Sequence, residues 1–144
     1  MHAIRPANDR DIAPVAGLFR GVRRACLPYL PDLHTPEEDL EFFRDRVFGA
    51  CEIWVAGATV GFIAFRAGWV DHLYVRQDRQ RNGIGRVLLE QAMRTYSPLR
   101  LWTFQKNLRA IKFYSAHGFR EIERTDGSRN EEREPDMLFE WARS

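Results

Sequence analysis

The clearest chemical feature of the chain is a glycine pair inside an arginine-rich segment, RQRNGIGR, from Arg79 to Arg86. The segment follows a β-rich run and precedes an apolar repeat of helical spacing. Glycine lets the main chain approach an anion closely or adopt positive φ. Free N–H groups and the dipole at the start of a helix both favour negative charge. This pattern predicts a pyrophosphate site, with a plain strand-to-helix turn carrying solvated arginines as the alternative.

Two nucleotide-binding motifs do not fit this segment. A P-loop has Lys and then Ser or Thr after its last glycine, whereas Arg86 and Val87 follow Gly85 here. A Rossmann fingerprint has a third glycine where Leu88 stands. The sequence therefore supports neither nucleotide-binding fold.

The helices that flank this segment can be read from apolar spacing and capping residues. The stretch Asp9 to Leu27 is predicted to be a first helix with one buried face, formed by Ile12, Val15, Ala16, Phe19 and Val22. A second helix begins at Thr35 as N-cap, with Pro36 in its first turn and Glu38 completing a capping box. Its buried stripe is predicted at Leu40, Phe43 and Val47.

The segment CEIWVAGATVGFIAFRAGWVDHLYV contains three β-rich runs, which predict an antiparallel meander at the centre of a sheet. A helix starting at Ile84 then leads to the strand LRLWTF. Asn107 is predicted to cap a short helix that stops at Gly118, and FREIERT and DMLFEWA form a closing strand pair. The order predicts an α+β fold with a mixed sheet.

Composition limits the classes of function. The 144 residues, 44% apolar and 29% charged, predict a single domain over residues 1–144. A net charge of +2 argues against a nucleic-acid or membrane partner. The first ten residues lack a signal-peptide core, and no run approaches the roughly 20 apolar residues of a membrane span. We therefore expect a cytoplasmic protein.

The two cysteines, Cys26 and Cys51, are too few for a disulfide framework. They also lack zinc-type spacing relative to the four histidines. A reducing compartment and the absence of a metal site are the corresponding expectations.

The longer string HLYVRQDRQRNGIGRVLLEQA resembles the acetyl-CoA-binding motif of the GNAT superfamily of N-acetyltransferases, with its core at Gln80, Gly83 and Gly85. The later string NLRAIKFYSAHGFRE is similar to the family's second block, an Asn opening a short helix that bears a Tyr. The close resemblance covers Gly61 to Glu121. In the loop, this chain lacks the family's common glycine near Arg81.

This resemblance implies a three-layer α+β fold, in which a mixed, mostly antiparallel sheet of about seven strands is flanked by about four helices. The strand Asp71 to Val75 would be splayed from Leu101 to Phe104, with the active site in the V-shaped gap. Acetyl-CoA is the implied co-substrate. The residues implied to bind it are Leu73, Tyr74, Val75, Gln80, Arg81, Asn82, Gly83, Ile84, Gly85, Arg86, Asn107 and Phe113.

Acetyl transfer needs a deprotonated amine, a polarised thioester carbonyl and a proton for the leaving thiolate. The resemblance places Tyr114 as general acid and a main-chain N–H near Leu73 at the carbonyl oxygen. Asp71 is expected to be the base ahead of His72, because strict alternation puts it on the side of Trp69. A packed core Tyr, ordinary strand-end polar residues and deprotonation by bulk water are the alternatives.

The acceptor is expected to be the primary amine of a small molecule or peptide, with Trp69 and Tyr29 binding it. The loops CLPYLPDLH and DGSRNEEREPD would select it. The region Glu121 to Asp136 has seven acids against three arginines, which suits a cationic acceptor or a solvated acidic hairpin. A protein N-terminus or lysine as acceptor, or a non-catalytic acyl-CoA-binding module, are alternatives. The chain is expected to be a monomer or homodimer.

Overall fold

The computed structural model describes residues 3–144, and seven strands lie within them. These are β1 (Ile4–Pro6), β2 (Glu52–Ala56), β3 (Gly61–Arg66), β4 (Trp69–Val75), β5 (Leu99–Phe104), β6 (Arg120–Arg124) and β7 (Asp136–Trp141). They form one sheet in the order β1-β2-β3-β4-β5-β7-β6. Only β4 and β5 run parallel, and the other neighbours are antiparallel. The predicted mixed, mostly antiparallel sheet is confirmed.

Four main helices cover the sheet in this part of the chain: α1 (Ile12–Cys26), α2 (Pro36–Phe42), α3 (Ile84–Thr95) and α4 (Leu108–Ala116). A π-helical segment, Phe43–Val47, and a last turn, Phe48–Ala50, continue α2 without a break. The π-helical segment was not predicted. None of the described helices is long and apolar enough to cross a membrane.

The predicted helix caps are present. The Thr35 N–H donates to Glu38 Oε1 at 2.9 Å, and the Glu38 N–H donates to Thr35 Oγ1 at 3.1 Å. Asn107 Oδ1 accepts from the Ala110 N–H at 3.2 Å. Each cap satisfies an N–H group that lacks a partner within the helix, so these short polar signals set where α2 and α4 begin.

Two apolar cores lie on opposite faces of the sheet. On one face, α1 and α2 pack on β2, β3 and β4 around Val15, Phe43 and Phe62, all fully buried. On the other face, α3 and α4 pack on the sheet around Leu88 and Leu99. Burying side chains of this size contributes roughly 2–3 kcal/mol each. The helices are thereby held against both sides of the central strands, which confirms the predicted three-layer arrangement.

Strands β4 and β5 pair at one end only and then diverge. Their ladder has a single Cα pair, Trp69 with Arg100, and the Arg100 N–H donates to Gly68 O at 2.9 Å. Beyond that pair the two parallel strands separate towards Val75 and Phe104. The predicted gap is therefore confirmed, and it opens at the carboxyl ends of both strands.

Candidate active site

The start of α3 lies beside the open end of this gap. Gly83, the N-cap of α3, has φ +87°, and Arg81 is also left-handed with φ +68°. The first helical bond runs from Val87 N to Gly83 O at 3.1 Å. The N–H groups of residues 84–86 precede it and have no partner within the helix. The loop therefore presents main-chain donors and a positive helix end in one place.

Gly85 also has a packing role. A Cβ atom at this position would meet the Phe113 ring at 3.3 Å and Val75 Cγ2 at 3.8 Å. The bare Cα therefore lets α3 approach α4 closely at the edge of the gap. Phe113 therefore lies next to the glycine loop.

The Gln80 side chain joins the end of β4 to α4. Its Nε2 donates to Val75 O at 2.9 Å, and its Oε1 accepts from Arg109 Nη1 at 3.0 Å. Nε2 also lies 3.6 Å from Cys26 Sγ, at the end of α1. The side chain of this predicted cofactor residue is thus engaged in holding three elements together around the loop.

Asp71 was expected to be the base ahead of His72 because side chains alternate regularly between the two faces of a strand. This regular alternation is wrong for β4. In the β3–β4 ladder Ala64 pairs with His72 and Phe65 pairs with Val70, so Asp71 is an extra residue in a β-bulge. A bulge breaks the regular alternation of faces. Asp71 instead accepts from Arg66 at 2.6 and 3.1 Å and from Cys51 Sγ at 3.3 Å. Burial, reinforced by this carboxylate, raises the pKa of Cys51 to about 12.

His72 lies among aromatic rings on the α1 and α2 side of β4. Its ring centroid is 5.3 Å from Phe43, 5.6 Å from Phe19 and 5.9 Å from Phe42. Burial lowers the pKa of His72 to about 4, because the protonated ring loses hydration, and the Asp71 carboxylate opposes this shift. His72 is therefore neutral at pH 7.

Tyr114 is buried, 8% exposed, on the α4 side of the sheet, against Phe113 and Phe119. Burial raises its pKa, and the Tyr74 phenol adds to the effect. Tyr74 belongs to β4 and packs with the α1 core on the opposite face. The phenol of Tyr114 is therefore neutral at pH 7.

An open cavity of about 800 Å³ lies on the α1 side. It is bounded by α1, the loop 27–35, α2 and the loop 125–135, with His72 also lining it. The position confirms that the two predicted loops flank one cleft. Seven carboxylates line it against four guanidinium groups: Asp32, Glu38, Asp39, Glu41, Asp45, Glu131 and Glu132 against Arg20, Arg23, Arg24 and Arg46.

Arg23 connects the wall of this cavity to the gap. It donates to Glu132 Oε2 at 2.8 Å, and its positive charge opposes the rise in the pKa of the buried Tyr74 phenol. A second bridge joins His34, of the loop 27–35, to Glu131. The acidic run in the loop 125–135 is therefore tied to α1 and to the loop 27–35. This differs from a freely solvated hairpin.

The two predicted acceptor-binding aromatics lie apart. Trp69 sits where β4 and β5 still pair, with Arg66 over its ring at 5.7 Å, and it does not line the 800 Å³ cavity. Tyr29 lies near the wide end of the gap, with Lys106 Nζ 5.4 Å from its ring centroid. No cluster of three or more His, Cys, Asp or Glu side chains within residues 3–144 is arranged to hold a metal ion.

The family model described as "Acetyltransferase (GNAT) domain" matches residues 49–121, which is half of the chain and includes the gap, the glycine loop and α4. The chain belongs to this family.

Related proteins agree with this assignment. The chain is 32% identical over 80 residues to peptidyl-lysine N-acetyltransferase YiaC of Escherichia coli, a match covering 53% of this chain and 55% of YiaC. The match thus spans about half of that relative's length. The fold is similar to apo YjaB of Escherichia coli, with TM-score 0.79, 22% identity and coverage of 100% and 99%. It is also similar to YncA of Salmonella typhimurium, solved with its cofactor acetyl-CoA, with TM-score 0.73, 18% identity and coverage of 97% and 92%.

Proposed function

We propose that this protein, as a single domain over residues 1–144, transfers the acetyl group of acetyl-CoA to a primary amine in a ternary complex. The observation that carries the proposal is the divergence of β4 from β5 after the Trp69–Arg100 pair, directly beside the N-terminus of α3. This arrangement offers a strand edge for an extended molecule and a positive helix end for its phosphates.

The residues around the gap suit acetyl-CoA. Main-chain N–H groups from Arg81 to Arg86 would hold the pyrophosphate, because Arg81 and Gly83 turn the chain through left-handed conformations there. The edge of β4 from Leu73 to Val75 would pair with the pantetheine arm. The acetyl-CoA complex of YncA, which shares the fold, supports this choice.

The transfer itself requires a proton donor on the thiolate side and an open path on the amine side. Tyr114 would donate the proton, since burial keeps its phenol neutral. A main-chain N–H near Leu73 would polarise the thioester carbonyl. His72 and Asp71 stay the candidate bases: His72 lines the acceptor cavity as a neutral ring, whereas the Asp71 carboxylate is already paired with Arg66.

The charge of the cavity favours a cationic acceptor. Its excess of carboxylates would attract an alkylammonium group and raise its local concentration. A lysine side chain in a peptide is the second candidate, supported by the similarity to the peptidyl-lysine N-acetyltransferase YiaC and by the open form of the cavity. Exposed Leu33 and Phe42, 46% and 41% accessible, would contact residues flanking such a lysine.

A thiol-release assay with acetyl-CoA tests the function. The panel contains alkyl diamines, polyamines, amino acids, aminoglycosides and peptides with a free lysine or a free N-terminus. We expect release above the acceptor-free rate with at least one amine, and mass spectrometry should show acetylation at that amine. Thermal stabilisation by coenzyme A without release from any acceptor would instead identify a non-catalytic acyl-CoA-binding module.

A further inference from the structure

Within residues 3–144, two buried side-chain oxygens have no hydrogen-bond partner. They are Tyr29 Oη, from the loop 27–35, and Glu134 Oε2, from the loop 125–135. Buried polar atoms are nearly always hydrogen-bonded, because leaving one unpaired is costly. Burial and the nearby Glu134 carboxylate raise the pKa of Tyr29, so this phenol is neutral at pH 7.

The backbone of the loop is built to hold Glu134 in this place. Asn130 Nδ2 donates to Glu134 O at 2.7 Å, and Asn130 Oδ1 accepts from the Glu134 N–H at 3.2 Å. Gly127, at φ +83°, leaves no room for a side chain, since its Cβ would lie 2.4 Å from the Glu134 carbonyl carbon. The Glu134 backbone is therefore positioned by local contacts, while its Oε2 atom has no hydrogen-bond partner.

The ammonium group of Lys106 lies close to both side chains. Lys106 Nζ lies 3.5 Å from Glu134 Oε2, an ion pair without a hydrogen bond, and 5.4 Å from the centroid of the Tyr29 ring. A carboxylate beside an aromatic face recognises an alkylammonium group by charge and by cation–π attraction. The Lys106 side chain is 61% exposed, so it can leave this position at little cost in buried surface.

We propose that Tyr29 and Glu134 form the subsite that binds the ammonium group of the acceptor, and that Lys106 holds this subsite until an acceptor displaces it. The inference rests on the proposed acetyl transfer to an amine. The acceptor is then an alkylammonium compound, either a small diamine, whose second amine reacts, or a lysine side chain, whose ammonium group first loses a proton to the base. A primary ammonium placed closer than Lys106 Nζ donates to Glu134 Oε2 and to Tyr29 Oη, which satisfies both buried atoms.

Steady-state kinetics with cadaverine and with an Nα-acetylated lysine peptide test the subsite. They also show whether the preferred acceptor is a small diamine or a lysine side chain. Glu134→Gln removes the charge and should raise the KM of the preferred acceptor about tenfold or more, with the KM of acetyl-CoA unchanged. Lys106→Met removes the competing cation and should lower the acceptor KM severalfold. Glu90→Gln and Lys112→Met, at exposed positions on α3 and α4, are the matched controls and should leave both KM values unchanged.

A binding measurement keeps the inference testable without turnover. The sequence has two lysines, Lys106 and Lys112, so reductive ¹³C-methylation gives two lysine signals that Lys106→Arg and Lys112→Arg variants assign. Cadaverine or the peptide should shift the Lys106 signal and leave Lys112 in place. Wild-type turnover with an acceptor KM unchanged in Glu134→Gln would overturn the subsite and leave acetyl transfer intact. Absence of turnover with a shifted Lys106 signal would reject acetyl transfer and retain the ammonium site.

Discussion

The ring of Phe113 packs directly on the bare Cα of Gly85, so that a Cβ atom there would lie 3.3 Å from Phe113 Cζ. This contact joins the first turn of α3 to the middle of α4, and Val75 at the end of β4 completes it. The glycine loop and the helix that carries Tyr114 are thereby fixed relative to each other. This close approach therefore helps to set the distance between the glycine loop and the candidate acid, Tyr114.

Gly85→Val should destabilise the protein by about 1–3 kcal/mol, because the added methyl groups force Phe113 and α3 apart. Gly17→Val is the control, since Gly17 is exposed on α1 and a Cβ there meets nothing within 4 Å. That change should stay within about 0.5 kcal/mol of wild type. Urea unfolding of both variants measures the difference. Equal stabilities would show that the α3–α4 contact adapts freely.

Gly83→Val should abolish thermal stabilisation by coenzyme A. A β-branched residue at φ +87° costs about 1–2 kcal/mol and displaces the N–H groups of the loop. Gly68→Val is matched in strain, because Gly68 has φ +85° and open space around it in the β3–β4 turn. Both variants should lose similar stability in the absence of ligand. Only Gly68→Val should retain a coenzyme A-dependent rise in Tm. If both variants retain it, the glycine loop is a plain helix start and not a pyrophosphate site.

Local signals in the sequence predicted those parts of the fold that local chemistry decides. The Thr35 and Asn107 caps formed as expected, because a cap depends on a few neighbouring atoms. The gap between β4 and β5 was predicted only through family resemblance, because the sequence of a strand does not show where its hydrogen bonds to a neighbouring strand end.

The acceptor side could not be predicted in the same way. The bulge at Asp71 arises from a shift in the register of β4 against Ala64 and Phe65 of β3. Such a shift depends on how two strands pair, so the residue pattern of one strand does not predict it. Glu134 appeared in the sequence only as one acid of a charged loop. Its proximity to Lys106 depends on how separate loops come together in the fold, and so does the proximity of Lys106 to Tyr29. The composition of the loops does not predict this arrangement.

Tyr114→Phe should lower thiol release by roughly 10²- to 10⁴-fold in kcat if Tyr114 is the general acid. The coenzyme A-dependent rise in Tm should be preserved, because the ring keeps its packing against Phe113 and Phe119. Tyr96→Phe is the control: Tyr96 packs on the same core against Phe65, at the end of α3. Unchanged kcat in Tyr114→Phe would assign the phenol a packing role and leave the leaving thiolate to be protonated by water.

Burial of His72 predicts a specific loss of stability in acid. Its pKa is about 4 in the folded chain and about 6.5 when unfolded, so between these values the unfolded chain binds more protons. Stability due to this group is therefore constant above pH 6.5 and falls as the pH drops towards 4, by at most about 2 kcal/mol at pH 5. His72→Phe, which keeps an aromatic ring in place, should flatten the dependence measured by urea unfolding between pH 7 and pH 5. Parallel profiles for both proteins would contradict the burial of a neutral ring.

Asp71→Asn tests the strand-end carboxylate as the base. Both of its oxygens accept from Arg66 and one also accepts from Cys51, so we expect kcat to change by less than tenfold. The Cys51 pKa should fall from about 12, because the carboxylate that adds to the effect of burial is removed. Thiol labelling at pH 9 should accelerate accordingly. Asp78→Asn, which removes an exposed partner of Arg76 at 2.6 Å, is the control. A loss of kcat beyond a hundredfold, together with loss of the acidic limb of the pH–rate profile, would instead assign proton abstraction to Asp71, and the pairing with Arg66 would then have to open during turnover.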